Sequence, residues 1–121
     1  MGIQRFEDII GWQRAQDLAV DIYGIFQHSK DFGFRDQICR AAVSVSNNIA
    51  EGFDRSSDSD FCRFLYIAIA SCSEVKSMVY LAQRLGYITD DQTQTLVRKS
   101  EEVAKILRGL IKSLSLMNYP R

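Results

Sequence analysis

The sequence predicts an all-α protein, an up-down-up-down left-handed four-helix bundle formed by residues 1–121 as a single domain. Apolar residues recur three and four positions apart in four separate segments, which is the spacing of amphipathic helices. The chain of 121 residues contains one proline, Pro120, so no proline interrupts a helix before that position. The connections between the segments are short, which favours antiparallel neighbours because no room is left for a crossover.

The first two helices are predicted over residues 8–28 and 35–53. Gly52 is placed in the last turn of the second helix, and Phe32-Gly33-Phe34 is predicted to be a short connection with a glycine hinge. The apolar stripes of the two helices are Trp12, Ala15, Ala19, Ile22 and Phe26, and Ile38, Ala42, Val45, Ile49 and Phe53.

The third and fourth helices are predicted over residues 58–85 and 90–116. Ser56, Ser57 and Asp58 are turn and N-cap residues for the third helix, and Gly86 follows it where a left-handed C-cap belongs. The fourth opens with Thr89-Asp90-Asp91-Gln92, a capping box with acidic residues in the first turn. The stripes are Phe61, Phe64 or Leu65, Ala68, Cys72, Val75, Met78 or Val79, Ala82 and Leu85, and Leu96, Val103, Leu107, Leu110 and Leu114.

Composition narrows the class of protein. Fifteen basic and fifteen acidic residues cancel, so the overall charge does not indicate a polyanionic partner. The N-terminal sequence MGIQRFEDII has no apolar segment typical of a signal peptide, and the longest apolar stretch, Phe64 to Ala70, is far shorter than the ~20 residues of a membrane span. Three cysteines without a close pair indicate reduced thiols, so we expect a cytoplasmic protein without a membrane segment.

The stretch AAVSVSNNIAEG, residues 41–52, has no charged residue between Ala41 and Ala50. At about 100° per residue, Val43, Asn47 and Ala50 fall opposite the core stripe, where a surface helix normally carries lysine and glutamate. Asn48 falls at the edge of the stripe, and we assign it a buried polar role that selects one packing register. The alternative for the two amides is that they bind a ligand in a pocket.

The third helix shows the same two-sided pattern. Between Phe61 and Ser73 its only charged residue is Arg63. A helix that is apolar on two sides is normally buried on both, and one bundle cannot bury a second face, so the sequence predicts self-association. Opposite the core stripe of this helix lie Tyr66, Ile69, Ala70, Ser73, Ser77 and Tyr80. All of these except Tyr80, together with Val43, Asn47 and Ala50, form the candidate interface.

The sequence contains no pattern for catalysis, a metal site or a cofactor. The single histidine, His28, is interpreted as a cation near the end of the first helix. The acidic pair Glu101-Glu102 is interpreted as matched by Lys105 and Arg98 at helical spacing. No serine or cysteine has a base nearby in the pattern, and no phosphate-binding or dinucleotide motif occurs. We therefore expect a protein that is not an enzyme, with no catalytic or metal-ligating residues, no cofactor and no small-molecule substrate.

One charge feature remains on the fourth helix. Arg98, Lys105, Arg108 and Lys112 fall along one side of it. The pattern is typical of a solvated face whose cations suit a helix C-terminus. The alternative is a stripe that contacts phosphates, although it has no aromatic residues interleaved for base stacking.

Three segments carry a family resemblance: FEDIIGWQRAQDLAVDIY, QICRAAVSVSNNIAEGFDR and FCRFLYIAIASCSEVKSMVYLAQRLGYI. Together they resemble the bacterial four-helix-bundle family, also called the ribosomal-RNA intervening-sequence protein family, over residues 6–114. The resemblance implies a four-helix bundle in a ring-like homo-oligomer, typically a pentamer, without established enzymatic activity. Distant relatives, the accessory variability determinants of diversity-generating retroelements, are basic and bind a reverse transcriptase and nucleic acid. This chain departs from the pattern at Cys39-Arg40, where many members carry two basic residues.

Two functions follow as hypotheses. The first is a non-enzymatic, cytoplasmic, homo-oligomeric interaction or scaffold protein in which the second and third helices form the subunit contacts. The second is a nucleic-acid-binding or reverse-transcriptase accessory protein that uses the basic stripe of the fourth helix.

Overall fold

The computed structural model describes residues 2–117 and confirms the four-helix bundle. Within that range no β-strand is present. Each helix contacts the two that flank it, and within the described chain no diagonal pair of helices has Cα atoms within 8 Å, so the helices occupy the corners of a square. A 3-10 turn at Phe6–Asp8 precedes the helices, which are α1 (Ile10–Phe26), α2 (Phe32–Phe53), α3 (Asp58–Arg84) and α4 (Asp90–Met117).

The start of α2 differs from the sequence prediction. Phe32-Gly33-Phe34 is not a hinged connection but the first turn of the helix, which begins after Asp31. The Phe34 N–H donates to Asp31 Oδ1 at 3.2 Å, which caps the turn. Phe34 is buried and its ring lies 5.6 Å from that of Phe26, so core packing draws this segment into the helix. The prediction was wrong because it treated Gly33 as a turn residue and did not take into account that the neighbouring Phe34 is buried in the core.

The other helix ends follow the predicted capping chemistry. Ser57 Oγ accepts a hydrogen bond from the Asp60 N–H at 3.1 Å at the start of α3. At the start of α4, the Gln92 N–H donates to Thr89 Oγ1 at 3.1 Å, and the Thr89 N–H donates to the Gln92 side chain at 2.9 Å. Gly86 has a φ of 76°, so the left-handed C-cap after α3 is confirmed.

The core contains most of the predicted stripe residues, with corrections on α1 and at the end of α3. Leu18 is fully buried, whereas Ala19 and Trp12 only flank the core. Leu85 is 49% exposed because α3 ends one residue before it. The fully buried side chains at the centre of the bundle include Ile22, Ile38, Val45, Ile49, Leu65, Val75, Leu96 and Leu107.

By length and composition alone, α3 is the one described helix long and apolar enough to cross a membrane. Of its most apolar window, 44% is buried within the bundle, where α3 contacts both α2 and α4. Core helices of globular proteins pass the same test. The remainder of the window includes the outward face that the sequence identified as uncharged.

Candidate interaction surfaces

The outer face of α2 lies where the helical wheel places it. Asn47 is exposed, and Val43 and Ala50 are half-buried on the side that faces away from the core. The nearest charged residues along the helix are Arg40 and Glu51, both exposed. We refer to Val43, Asn47 and Ala50 as the α2 outer face.

Asn48 lies at the seam between α2 and α3 and is half-buried. Its Nδ2 donates to the Ser44 carbonyl oxygen at 2.8 Å and to Ser44 Oγ at 2.9 Å. Ser44 Oγ lies 3.0 Å from Ser71 Oγ across the seam, and the two hydroxyls share a hydrogen bond. The amide thus orients the serine that joins the two helices, which fits the register role predicted for it.

Sequence reasoning missed the serines of this stretch. Besides Ser44 and Ser71, the buried Ser46 accepts a hydrogen bond from Gln16 Nε2 at 3.0 Å, which links α2 to α1. Each of these serines lies at the edge of an apolar stripe, and that position is the signal that could have identified them. Buried hydroxyls require partners, so their spacing specifies which helices meet.

The outer face of α3 consists of Tyr66, Ala70, Ser73, Ser77 and Tyr80, all exposed, with Tyr66 at 60% and Tyr80 at 45%. We refer to these five residues as the α3 outer face. The assignment of Ile69 to it is wrong, because Ile69 is only 9% exposed and belongs to the core cluster that contains Leu107. The buried arc of α3 is wide enough on the side of α4 to include it.

The four cations of the predicted stripe are all exposed on α4. Lys105 and Arg98 do not pair with Glu101 and Glu102, which corrects the sequence interpretation: Glu101 pairs with Lys76 of α3 at 3.7 Å, and Glu102 pairs with Arg14 of α1 at 3.1 Å. Within residues 2–117, no carboxylate lies within 4.0 Å of the cationic groups of the stripe, which are Arg98, Lys105, Arg108 and Lys112.

The stripe borders an open groove of about 570 Å³ between α3 and α4. Lys76 and Ser73 of α3 face Arg98, Lys105 and Arg108 across this groove. Tyr80 and Arg98 also line an adjacent groove of about 460 Å³, so one aromatic side chain from α3 stands beside one cation from α4. The sequence of α4 alone could not show this, because the two helices contribute different residue types to one surface.

The thiols and the histidine are not arranged for chemistry. Burial raises the pKa of the Cys72 thiol to about 12, which keeps it protonated at neutral pH. Burial also raises the pKa of Cys39 and of Cys62. His28 is exposed in the turn that follows α1, two residues beyond the helix. Among the described residues, no group of three or more His, Cys, Asp or Glu side chains is placed to hold a metal ion.

Comparisons with known proteins agree with the sequence resemblance. The family model described as 23S rRNA-intervening sequence protein matches residues 7–109. A crystal structure from Bacteroides thetaiotaomicron VPI-5482, of a protein with unknown function from the S23 ribosomal protein family, superposes with a TM-score of 0.81. Its sequence is 29% identical, and the match covers 85% of this chain and 99% of that chain. No curated protein sequence matches the chain. Neither description names an enzymatic activity.

Proposed function

This chain belongs to the 23S rRNA-intervening sequence protein family, and on that premise we propose that it is a non-enzymatic cytoplasmic protein that assembles with copies of itself. The assembly is a ring, a pentamer by the family resemblance, and it acts as an interaction scaffold. The observation that carries the proposal is the uncharged surface on the α2 and α3 outer faces of one chain.

Several contacts support this use of the surface. The charged residues of α1 and α4 lie on their outer sides, and pairs such as Arg14–Glu102 hold them there. The α3 outer face instead presents two tyrosines, a residue type enriched at interfaces because it combines a large apolar area with a polar tip. A stable interface removes about 800 Å² from water on each partner, and two adjoining helix faces of this length can supply that area.

The test is the molar mass in solution by size exclusion with light scattering. The wild-type chain at micromolar concentration should run as an oligomer, and Ala50→Glu or Ala70→Glu should dissociate it because each places an unpaired charge in the contact. Circular dichroism should show that both variants keep their helices. Val20→Glu is the matched control, because Val20 is 68% exposed on α1, outside the proposed contacts. A wild-type monomer would refute the proposal.

A second candidate function is binding of nucleic acid or of a nucleic-acid polymerase such as a reverse transcriptase. The specific observation in its favour is the groove between α3 and α4, where four cations outnumber two acidic residues and Tyr80 stands beside Arg98. The cations are Lys76, Arg98, Lys105 and Arg108, and the acidic residues are Glu101 and Glu102. Cations that contact phosphates make binding steeply salt-dependent, and exposed aromatic rings can stack on unpaired bases. The neutral overall charge of the chain counts against a large polyanion footprint.

Fluorescence anisotropy with labelled single-stranded RNA and DNA tests this candidate. Binding at low salt should weaken steeply as salt rises, and Lys105→Glu with Lys112→Glu should abolish it. Lys30→Glu, at an exposed position outside the groove, is the control for a change in overall charge. Failure of both nucleic acids to bind at low salt would remove this candidate.

A further inference from the structure

Two grooves with different chemistry adjoin each other between α3 and α4. Arg98 and Glu101 line both of them, so the grooves meet at these two residues. The larger groove, of about 570 Å³, contains most of the cations. The smaller groove, of about 460 Å³, has an aromatic ring, an apolar side chain and uncharged polar groups. Its other lining residues are Tyr80, Gln83, Thr93, Gln94 and Val97.

The acidic residues of the larger groove are already paired. Glu101 pairs with Lys76 at 3.7 Å, and Glu102 pairs with Arg14 at 3.1 Å. The groove contains three further cations, and within residues 2–117 no carboxylate lies within 4.0 Å of their charged groups. These cations are Arg98, Lys105 and Arg108. The larger groove therefore has an excess of positive charge that suits an anionic ligand.

Small side chains form the floor of the larger groove. Cys72, Ser100 and Ala104 line it, and all three are buried. The Ser100 hydroxyl donates to the Leu96 carbonyl oxygen at 2.9 Å, so it is held against α4. Burial raises the pKa of the Cys72 thiol to about 12, so this residue adds no negative charge at neutral pH. The floor is thus neutral and shallow, and the longer cationic side chains stand around it.

We propose that the two grooves together bind a nucleoside polyphosphate, with the base in the smaller groove and the phosphates in the larger one. Tyr80 is half exposed and provides a ring on which a base stacks. Gln83 Nε2 donates to Asp90 Oδ1 at 2.8 Å, which leaves its carbonyl oxygen to accept a hydrogen bond from a base edge. Arginine guanidinium groups bind phosphate oxygens in pairs.

The order of these groups along the bundle fits one extended nucleotide. Val97 of α4 shares the smaller groove with Tyr80, and Arg98 lies at the junction of the grooves. Lys105 is eight residues beyond Val97, which is about 12 Å along the helix axis. Arg108 lies about 4.5 Å farther in the same direction. The phosphates of a nucleotide extend away from its base in one direction, so Arg98 meets the first phosphate and the other two cations meet the later ones.

This inference uses residues of the second candidate function but assigns them a different ligand, a free nucleotide instead of a polymer. Isothermal titration calorimetry with ATP at low salt tests it. ATP should bind about tenfold more tightly than inorganic tripolyphosphate, because only ATP supplies a base that stacks on Tyr80. The titrations use the wild type and Ala50→Glu, so that a contact between copies does not hide the grooves in both. Failure of ATP to bind to either protein would refute the inference.

A change at Tyr80 tests the position of the base. Tyr80→Ala should weaken ATP binding about tenfold and leave tripolyphosphate binding unchanged. Tyr23→Ala is the matched control, because Tyr23 is 45% exposed, as Tyr80 is, and lies on α1 outside both grooves. Circular dichroism should show that both variants keep their helices. If Tyr80→Ala leaves ATP binding unchanged, the base does not occupy the smaller groove and the inference is wrong.

A double change tests the position of the phosphates. Lys105→Gln with Arg108→Gln should weaken the binding of ATP and of tripolyphosphate alike, by about tenfold or more. Lys30→Gln with Arg40→Gln removes the same charge at exposed positions outside both grooves and should change little. Equal weakening by the two double variants would mean that the phosphates respond only to overall charge, which would overturn the inference.

Single-stranded RNA separates this inference from the second candidate function. Binding of ATP without binding of RNA would support the inference and remove that candidate, whereas binding of RNA without binding of ATP would do the reverse. If both bind, ATP should displace labelled RNA, because the two ligands share Arg98, Lys105 and Arg108. Failure of ATP to displace the RNA would place ATP outside these grooves and refute the inference.

Discussion

The seam between α2 and α3 and the seam between α1 and α4 join the same kind of element by different means. At the α2–α3 seam, a Cβ added to Gly52 would lie 2.6 Å from Phe64 Cβ, and the hydroxyls of Ser44 and Ser71 meet between the helices. At the α1–α4 seam, half-exposed ion pairs bridge the helices, and a groove of about 600 Å³ remains open beside Val20. The first seam is close and uncharged, whereas the second is looser and charged.

The two seams are built from different types of residue. Small residues and hydroxyls allow α2 and α3 to approach closely and fix their register without ion pairs. The outer faces of these two helices are also uncharged. Charged residues are most frequent on α4, which carries nine of them between Asp90 and Met117. A pair of helices held closely together suits the contact between copies that we propose.

The largest effect on folding should come from Gly52→Ala. The new methyl group meets Phe64 at its Cβ, which cannot move without the backbone, so α2 and α3 must separate. We expect the free energy of unfolding to fall by about 2 kcal/mol, as for other overpacked sites, in urea titrations at one protein concentration. Gly11→Ala at the α1–α4 seam is the matched control, since the new methyl group meets the ends of side chains, Leu107 Cδ2 at 2.7 Å and Ile106 Cγ2 at 3.3 Å. Equal losses for the two variants would contradict the comparison.

The next effect should come from the hydroxyl pair. Ser44→Ala removes the hydroxyl that bonds both Ser71 and Asn48, although Asn48 keeps its bond to the Ser44 carbonyl oxygen, and should cost about 1 kcal/mol of unfolding free energy. Ser71→Ala should cost a similar amount, and the double variant should cost less than the two together, because one hydrogen bond is counted twice. Ser115→Ala, at an exposed site on α4, should change little. Fully additive losses would show that the hydroxyls do not interact.

A smaller effect is expected at the charged seam. The Arg14 and Glu102 side chains are 53% and 46% exposed, so solvent screens their pair. Glu102→Gln should change the unfolding free energy by about 0.5 kcal/mol or less, and the change should shrink in 0.5 M salt. A loss as large as that of Gly52→Ala would mean that the charged seam contributes as much as the close one.

The smallest effect should appear only in acid, at the end of the α2–α3 seam. The Tyr87 hydroxyl donates to Asp31 Oδ2 at 2.6 Å, and this bond, followed by that from the Phe34 N–H, lowers the pKa of Asp31 below its usual 3.8. The carboxylate therefore stabilises the fold above pH 3.8, and this stabilisation is lost as the pH falls through the lowered pKa. Tyr87→Phe should make the urea midpoint depend less on pH in this range, whereas Tyr66→Phe, which leaves the bond to Asp31 intact, should not.

The stretch of residues 46–52 explains much of what the sequence could and could not predict. The lack of charge from Ala41 to Ala50 indicated a second, uncharged face of α2, and the helical wheel placed Asn47 outside and Asn48 at the edge of the core stripe. The pattern did not reveal why Gly52 must be glycine, because the obstacle, Phe64, belongs to another helix. On α4, the spacing of the charged residues did not reveal that Glu101 pairs with Lys76 of α3, because that spacing favoured a partner on the same helix.

The same limit explains the errors on α3 and at the start of α2. Ile69 lies about 100° from the centre of the stripe, and only the position of α4 decides whether that angle is buried. Phe34 is buried because it packs against Phe26 of α1, and the residue preferences of a turn do not take such a contact between helices into account. The spacing of apolar residues and the capping residues are local features, so they predicted the helices well. Contacts between helices depend on the fold, and the sequence pattern did not predict them.

The even number of antiparallel helices has a practical consequence for anyone who labels this protein. The start of α1, the end of α4 and the α2–α3 loop all emerge at one end of the bundle. A fluorescent label attached at the start of α1 or at the end of α4 would therefore lie at that end of the bundle, away from Tyr87 at the other end. Labels at both positions would lie at the same end, a suitable arrangement for energy transfer.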